Sequence, residues 1–185
     1  MDKNTLKKEI KNCNKCKLIE SCTQTVGWHG NPESPLWFVG EAPGYYEDIQ
    51  GVPLVGKSGQ LLNKMLRNIG LGRDQVNTTN IVKCRPLNNR TPVKSEADFC
   101  AQEWLEKEIE LFRPKVIVAL GAVAMKYFGD ENMKISKLAG TTFEYKGIKI
   151  IPVFHPSYIL RQHSEELEKR VTEQIKKAAE TAGLI

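Results

Sequence analysis

No apolar run in this 185-residue chain approaches the length of a membrane span. The first residues, Met1-Asp2-Lys3, lead into polar sequence and not into the apolar core of a signal peptide. An intracellular, cytoplasmic location is therefore expected. Internal repeats and low-complexity tracts are missing too, so neither a solenoid nor a disordered tail is read here. Charge of one sign does not dominate: 27 basic and 22 acidic residues leave +5. That balance permits a polyanionic partner without demanding one. The remainder is ordinary, 41% hydrophobic and 26% charged. Such a chain is long enough to bury one core, and residues 1–185 are read as a single domain.

Against that background five cysteines are informative. Structural disulfides are not expected inside a reducing cell, so metal ligation is the better reading. Cys13 and Cys16 form a C-x2-C after a short helix over residues 3–12, flanked by Lys15 and Lys17. Two thiolates on such a turn converge on one centre, and the lysines favour their ionised form. Cys84 and Cys100 complete a set of four, the count needed for a zinc ion or an iron–sulfur cluster. Cys22 is left over and reads as a small packing residue.

The chain is organised around residues 36–65. Leu36-Trp37-Phe38-Val39 reads as a buried strand that breaks at Gly40. A long polar loop follows with three acids, Glu41, Glu47 and Asp48, and closes in a helix carrying Leu61, Leu62, Met65, Leu66 and Ile69 on one face. Strand, acidic Gly/Pro loop and helix is the shape of a ligand site at the carboxyl end of a strand. Further strands are expected at 77–83, at 116–120, and in a hairpin around Lys146-Gly147. Helices are expected after an N-cap at Ser95 to about Phe112, over 122–128, and from Ser164 almost to the end. The sum is a three-layer α/β/α sandwich around a mainly parallel sheet of about four strands. Glu41, Asn80 and His155 stand at or near strand ends, where an α/β sheet gathers its loops into one crevice. A carboxylate, a carboxamide and an imidazole facing one space make a candidate catalytic set.

Residues 51–58, GVPLVGKS, match the phosphate-binding loop G-x-x-x-x-G-K-[ST]. That loop should leave directly from a strand, and here it follows the polar stretch Tyr45–Gln50. A nucleotide-binding protein is the weaker alternative. A lesser version keeps Lys57, Ser58 and the amides of a helix N-terminus as contacts for a nucleic-acid phosphate.

Together, Gly40-Glu-Ala-Pro-Gly44, Glu47-Asp48, Gly51 to Gly59, Thr79-Asn80-Ile-Val-Lys-Cys84-Arg-Pro86, Asn89-Arg90 and His155-Pro-Ser-Tyr158 with Arg161 resemble the family 4, iron–sulfur uracil-DNA glycosylases. The resemblance runs from about residue 10 to 165. It implies base-excision repair of uracil-containing DNA: hydrolysis of the N-glycosidic bond, with no strand cut, by a monomer in the cytoplasm and nucleoid. It implies a 4Fe–4S cluster on Cys13, Cys16, Cys84 and Cys100; thiol spacing alone would also accept zinc. His155 would donate to uracil O2, Asn80 would read the base edge, and Glu41 would position water or support the cationic sugar. Ala42 stands where a related branch carries an aspartate. Glu47 would line the pocket, tied to Asn89. Lys57, Ser58 and Arg85 would meet DNA, and Pro156, Ser157 and Arg161 would belong to a loop entering the minor groove. Leu54 stands where the family usually places an aromatic ring that stacks on uracil, and Tyr45 or Tyr46 is the candidate to supply that ring. A non-catalytic iron–sulfur DNA-binding protein of the same fold is the competing reading.

Overall fold

The structure is a computed structural model that describes residues 2–185. In chain order the elements are α1 (Lys3–Lys11), β1 (His29–Gly30), β2 (Leu36–Gly40), α2 (Tyr45–Gln50), α3 (Lys57–Asn68), β3 (Asn77–Asn80), α4 (Lys94–Cys100), α5 (Glu106–Phe112), β4 (Val116–Leu120), α6 (Ala122–Phe128), α7 (Ile135–Leu138), β5 (Phe143–Tyr145), β6 (Ile148–Val153), α8 (Pro156–Gln162) and α9 (Glu165–Ala182). A single π-helical turn over Ala101–Leu105 joins α4 to α5.

The sheet has six strands in the order β1-β3-β2-β4-β6-β5. The four central strands run parallel, and β1 and β5 add antiparallel edges. The expected four-strand parallel core is therefore present, widened by two short edge strands. Alternation along the strands divides the core. Trp37 and Val39 of β2, with Ile117 and Ala119 of β4, face one layer, which includes Leu6 and Ile10 of α1 and Trp104 and Ile109 of the long helix. Leu36 and Phe38, with Val116 and Val118, face the other, built on Leu62, Met65 and Leu66 of α3 and Val171 and Ile175 of α9. Two of the central strands, β2 and β4, are apolar and buried on both faces, as a doubly covered parallel sheet requires, and β6 departs from this only at Lys149 near its start.

The register pairs Gly40 with Asn80 and Leu120 with Val153, so four strand ends share one rim. Chain order reverses between β2 and β4 on that rim, the position where open α/β sheets bind ligands. Among the described residues no helix is long and apolar enough to cross a membrane.

Several local expectations need correcting. The acidic loop contains α2, capped by Gly44 before it and by Gly51, at φ +69, after it. Its single turn and a half is too short for a periodic signal. Ser95, expected to cap the next helix, lies inside its first turn: the helix starts at Lys94 with Val93 at the cap position, and the Glu96 carboxylate accepts from the Val93 N–H at 2.9 Å. Residues 156–161 form α8 and not a loop: Pro156 takes the first helical position, where its missing N–H costs nothing. The phosphate-loop pattern of residues 51–58 leaves from α2 and not from a strand, so its structural context is absent.

Candidate active site

The rim opens into a cleft of about 670 Å3. Glu41, Ala42, Glu47, Leu54, Ser58, Asn80, Asn89, His155, Ser157 and Arg161 all line it. The catalytic set expected from sequence is therefore brought together, from the ends of β2, β3 and β6. A larger hollow of about 790 Å3 at the opposite side of the sheet gathers Arg113, Lys115 and Lys149 around Glu106 and Glu110. It lies beside the carboxyl ends of α5 and α9, so those cations complement helix dipoles.

His155 is set by its own helix. Its Nδ1 accepts the Ser157 backbone N–H at 3.1 Å, with Ser157 Oγ at 2.8 Å. An imidazole nitrogen that accepts a backbone N–H carries no proton, so the neutral ring holds its proton on Nε2. Burial, with the Arg161 guanidinium nearby and against the pull of Glu47, pushes the His155 pKa down to about 4. The ring is thus a neutral Nε2–H donor at physiological pH. Gly121, at φ +88, packs against it; a Cβ there would sit 3.2 Å from His155 Cβ.

Asn80 is buried at the end of β3, opposite Gly40. A Cβ on Gly40 would lie 2.5 Å from Asn80 Oδ1, so glycine at that strand end makes room for the carboxamide. Glu41 follows Gly40 and is half-buried. Burial pushes its carboxyl above the usual range, opposed by a hydrogen bond with Thr91. The carboxylate is a stronger base than a solvated one.

Glu47 is not tied to Asn89. Its Oε1 accepts the Val55 and Gly56 N–H groups at 3.2 and 3.0 Å. The anion seat at the start of α3, expected for a phosphate, is therefore partly filled by the protein's own carboxylate. Asn89 Oδ1 accepts instead from Arg85 Nε at 2.6 Å, and that guanidinium lies 5.1 Å from the Tyr45 ring centre. Asp48, the third acid, accepts from the Thr23 N–H at 2.8 Å and pins α2 to the N-terminal segment. Lys57 is exposed at the first position of α3, and Pro156 is buried. Tyr45 and Tyr46 are more than half exposed and do not line the cleft. Its aromatic lining is Phe154 and Tyr158, stacked at 5.0 Å, which sequence reasoning did not single out.

The five thiols lie together at the edge of one core layer, and none is in a disulfide. Trp104 Nε1 donates to Cys13 Sγ at 3.3 Å, and the Lys83 N–H to Cys100 Sγ at 3.3 Å. The Cys84 thiol is pushed up by burial first, then by its neighbours Cys22, Cys100 and Cys16. Cys22 thus stands beside Cys84 and not apart from the set. Among the described residues no three His, Cys, Asp or Glu side chains converge as they would on a single metal ion. Two N–H groups are aimed at sulfur in this set, and thiols are soft donors of the sort that zinc and iron–sulfur centres both take.

Beneath the site, Lys83 Nζ is fully buried and donates to Thr79 Oγ1 at 2.6 Å, Asn80 O at 3.0 Å and Glu108 Oε2 at 2.9 Å. One residue therefore links the thiol cluster, through its backbone, to the base of Asn80, through its ammonium.

Residues 28–179 match the family model of the uracil-DNA glycosylase superfamily. The chain belongs to that superfamily. Within it, the chain is 45% identical to a type-4 uracil-DNA glycosylase of Thermotoga maritima, over 91% of this chain and 88% of the relative. It is 40% identical to a type-4 enzyme of Sulfurisphaera tokodaii, over 96% and 83%, and 39% identical to one of Archaeoglobus fulgidus, over 95% and 91%. The superfamily match starts at residue 28, so Cys13, Cys16 and Cys22 lie outside it.

Proposed function

We propose that a uracil swung out of DNA is read and released in the cleft between Leu54, Asn80 and His155. The function is DNA base-excision repair: the chain is a uracil-DNA glycosylase that hydrolyses the N-glycosidic bond. The base must leave the stack to enter so narrow a site. As the bond breaks, negative charge collects on uracil and positive charge on the sugar. A donor near O2 and a carboxylate near the sugar bind that state more tightly than the substrate. His155 supplies the donor through Nε2–H; being neutral, it stabilises the anion without first giving up a proton. Asn80 offers an amide donor to O4 and a carbonyl to N3–H. Cytosine would bring an amine against the amide donor and leave buried groups unpaired. Glu41, made more basic by burial, takes a proton from water or steadies the sugar cation.

Ala42 and Glu47 shape the wall beside the base, Glu47 by holding the amides of Val55 and Gly56. Arg161, Ser157 and Pro156 on α8, with Lys57, Ser58 and the Arg85–Asn89 pair, meet the DNA backbone. The site is built within one chain, so a monomer suffices, and it works on DNA in the cytoplasm.

Cys13, Cys16, Cys84 and Cys100 would hold a 4Fe–4S cluster. When bound, that group cross-links the N-terminal segment to the loop and helix carrying Arg85 and Cys100. A zinc ion would need all four sulfurs about 2.3 Å from one point. The N–H groups of Trp104 and Lys83 that point at Cys13 and Cys100 sulfur support the iron–sulfur reading, with zinc as the alternative.

The observation that carries the reading is the convergence of Glu41, Asn80 and a neutral His155 at one rim. The test is uracil release from an oligonucleotide, read as alkali-labile abasic sites. Product that disappears in His155→Ala supports the assignment. Full activity in both His155→Ala and Asn80→Ala would overturn it.

A further inference from the structure

Arg73 lies in the turn between α3 and β3, in a Gly-Arg-Asp stretch of polar composition. Its guanidinium is instead withdrawn from water and forked over the loop before α3. Nη1 donates to Leu54 O at 3.0 Å and Asn63 Oδ1 at 3.2 Å; Nη2 donates to Pro53 O at 3.1 Å and Thr78 Oγ1 at 2.9 Å. All four acceptors are neutral. Burial lowers its pKa to about 10, which leaves it charged at neutral pH.

The residue under the fork is unusual. Leu54 has φ +55, a left-handed conformation that a leucine seldom adopts. Its carbonyl packs directly on Gly59 of α3, where a Cβ would lie 1.7 Å from that oxygen, so glycine is needed there. Leu54 lines the cleft and is only 6% exposed. A disfavoured backbone persists when its surroundings over-determine it, and such positions concentrate where a site is pre-organised. Thr78 extends the chain of contacts, since its Oγ1 also donates to His29 O at 3.1 Å on the edge strand.

We propose that Arg73 is a positioning residue for base recognition: its fork fixes the Pro53 and Leu54 carbonyls so that Leu54 presents its side chain to the flipped base. This rests on the reading that uracil occupies the cleft. Arg73 touches neither base nor DNA. It determines where the base-facing wall stands.

The test uses Arg73→Lys, which keeps the charge and loses the fork, measured by inhibition with free uracil, by KM and kcat on a uracil oligonucleotide, and by binding to abasic-site DNA. Uracil inhibition should weaken roughly tenfold, with KM rising more than kcat falls, as removal of base-binding energy dictates. Affinity for abasic DNA should stay as in the wild type. In a Leu54→Gly background, which takes the left-handed backbone freely, Arg73→Lys should cause little further loss of uracil inhibition. Should Arg73→Lys not fold, Asn63→Ala removes one arm of the fork and should show a smaller loss in the same direction. Unchanged uracil inhibition in the folded variant, or losses that simply add in the double variant, would overturn the proposal. A wild-type protein that releases no uracil would sink the functional reading instead.

Discussion

The backbone N–H of Ser157 donates to His155 Nδ1 across 3.1 Å, and that bond places the ring's proton on Nε2. Helix capping and chemistry are the same contact here: the first turn of α8 is capped by the imidazole that faces the cleft. Ser157→Ala keeps the amide, so it should lower kcat by less than about tenfold, whereas His155→Ala should lose about 10²–10⁴-fold by removing the donor itself. Equal losses in the two variants, measured by single-turnover uracil release, would contradict this division.

The same geometry fixes a pH dependence. The folded-state pKa of His155 is about 4, against about 6.5 for an unfolded histidine. The unfolded chain therefore binds the proton more readily, and the stability due to the neutral ring is complete above about 6.5 and declines as pH falls toward 4. Nitrogen NMR of the ring at pH 7 and pH 5.5 should show a proton on Nε2 and none on Nδ1. A midpoint near 6.5 would show that the ring is not desolvated as described.

Breaking the buried Lys83–Glu108 pair leaves one uncompensated charge in the core. Lys83→Met or Glu108→Leu alone should cost about 3–5 kcal/mol, while the double variant should recover most of that loss. Denaturant midpoints on all three variants decide it. Independent, additive losses would mean that the two side chains are not coupled.

Removing a thiol tests the cluster. The wild-type protein, purified without oxygen, should carry about four irons, with inorganic sulfide. Cys100→Ser should lose both, along with thermal stability. One zinc per chain and no sulfide would replace the cluster assignment.

Leu54→Phe places a ring on the wall of the cleft without changing its backbone demand. Aromatic stacking adds about 0.5–1.5 kcal/mol, so KM for uracil DNA should fall several-fold with kcat little changed. A higher KM would show that Phe154 and Tyr158 already fill the space.

The central strands were legible because β2 and β4 are apolar runs bounded by glycine and proline, and the rim residues because Glu41 follows β2, Asn80 ends the β-branched run of β3 and His155 comes just after β6. Less visible were α2, with too few turns for a period, and β1, whose two residues, His29 and Gly30, pair with β3 only through tertiary context. Arg73 was hidden for a different reason. Its stretch has the composition of an exposed turn, and only the fold brings the Pro53 and Leu54 carbonyls to it. Glu47 likewise reads as a wall of the pocket, and its real partners are backbone amides, which no residue pattern names.

The thiols come together from three distant parts of the chain. Cys13 and Cys16 are synthesised early, yet Cys100 emerges only after β2, α3 and β3 have left the ribosome. The set of four thiols is therefore complete only once residue 100 has been made. By then β1, β2 and β3 have also been made, so no N-terminal fragment that stops short of Cys100 carries the full set.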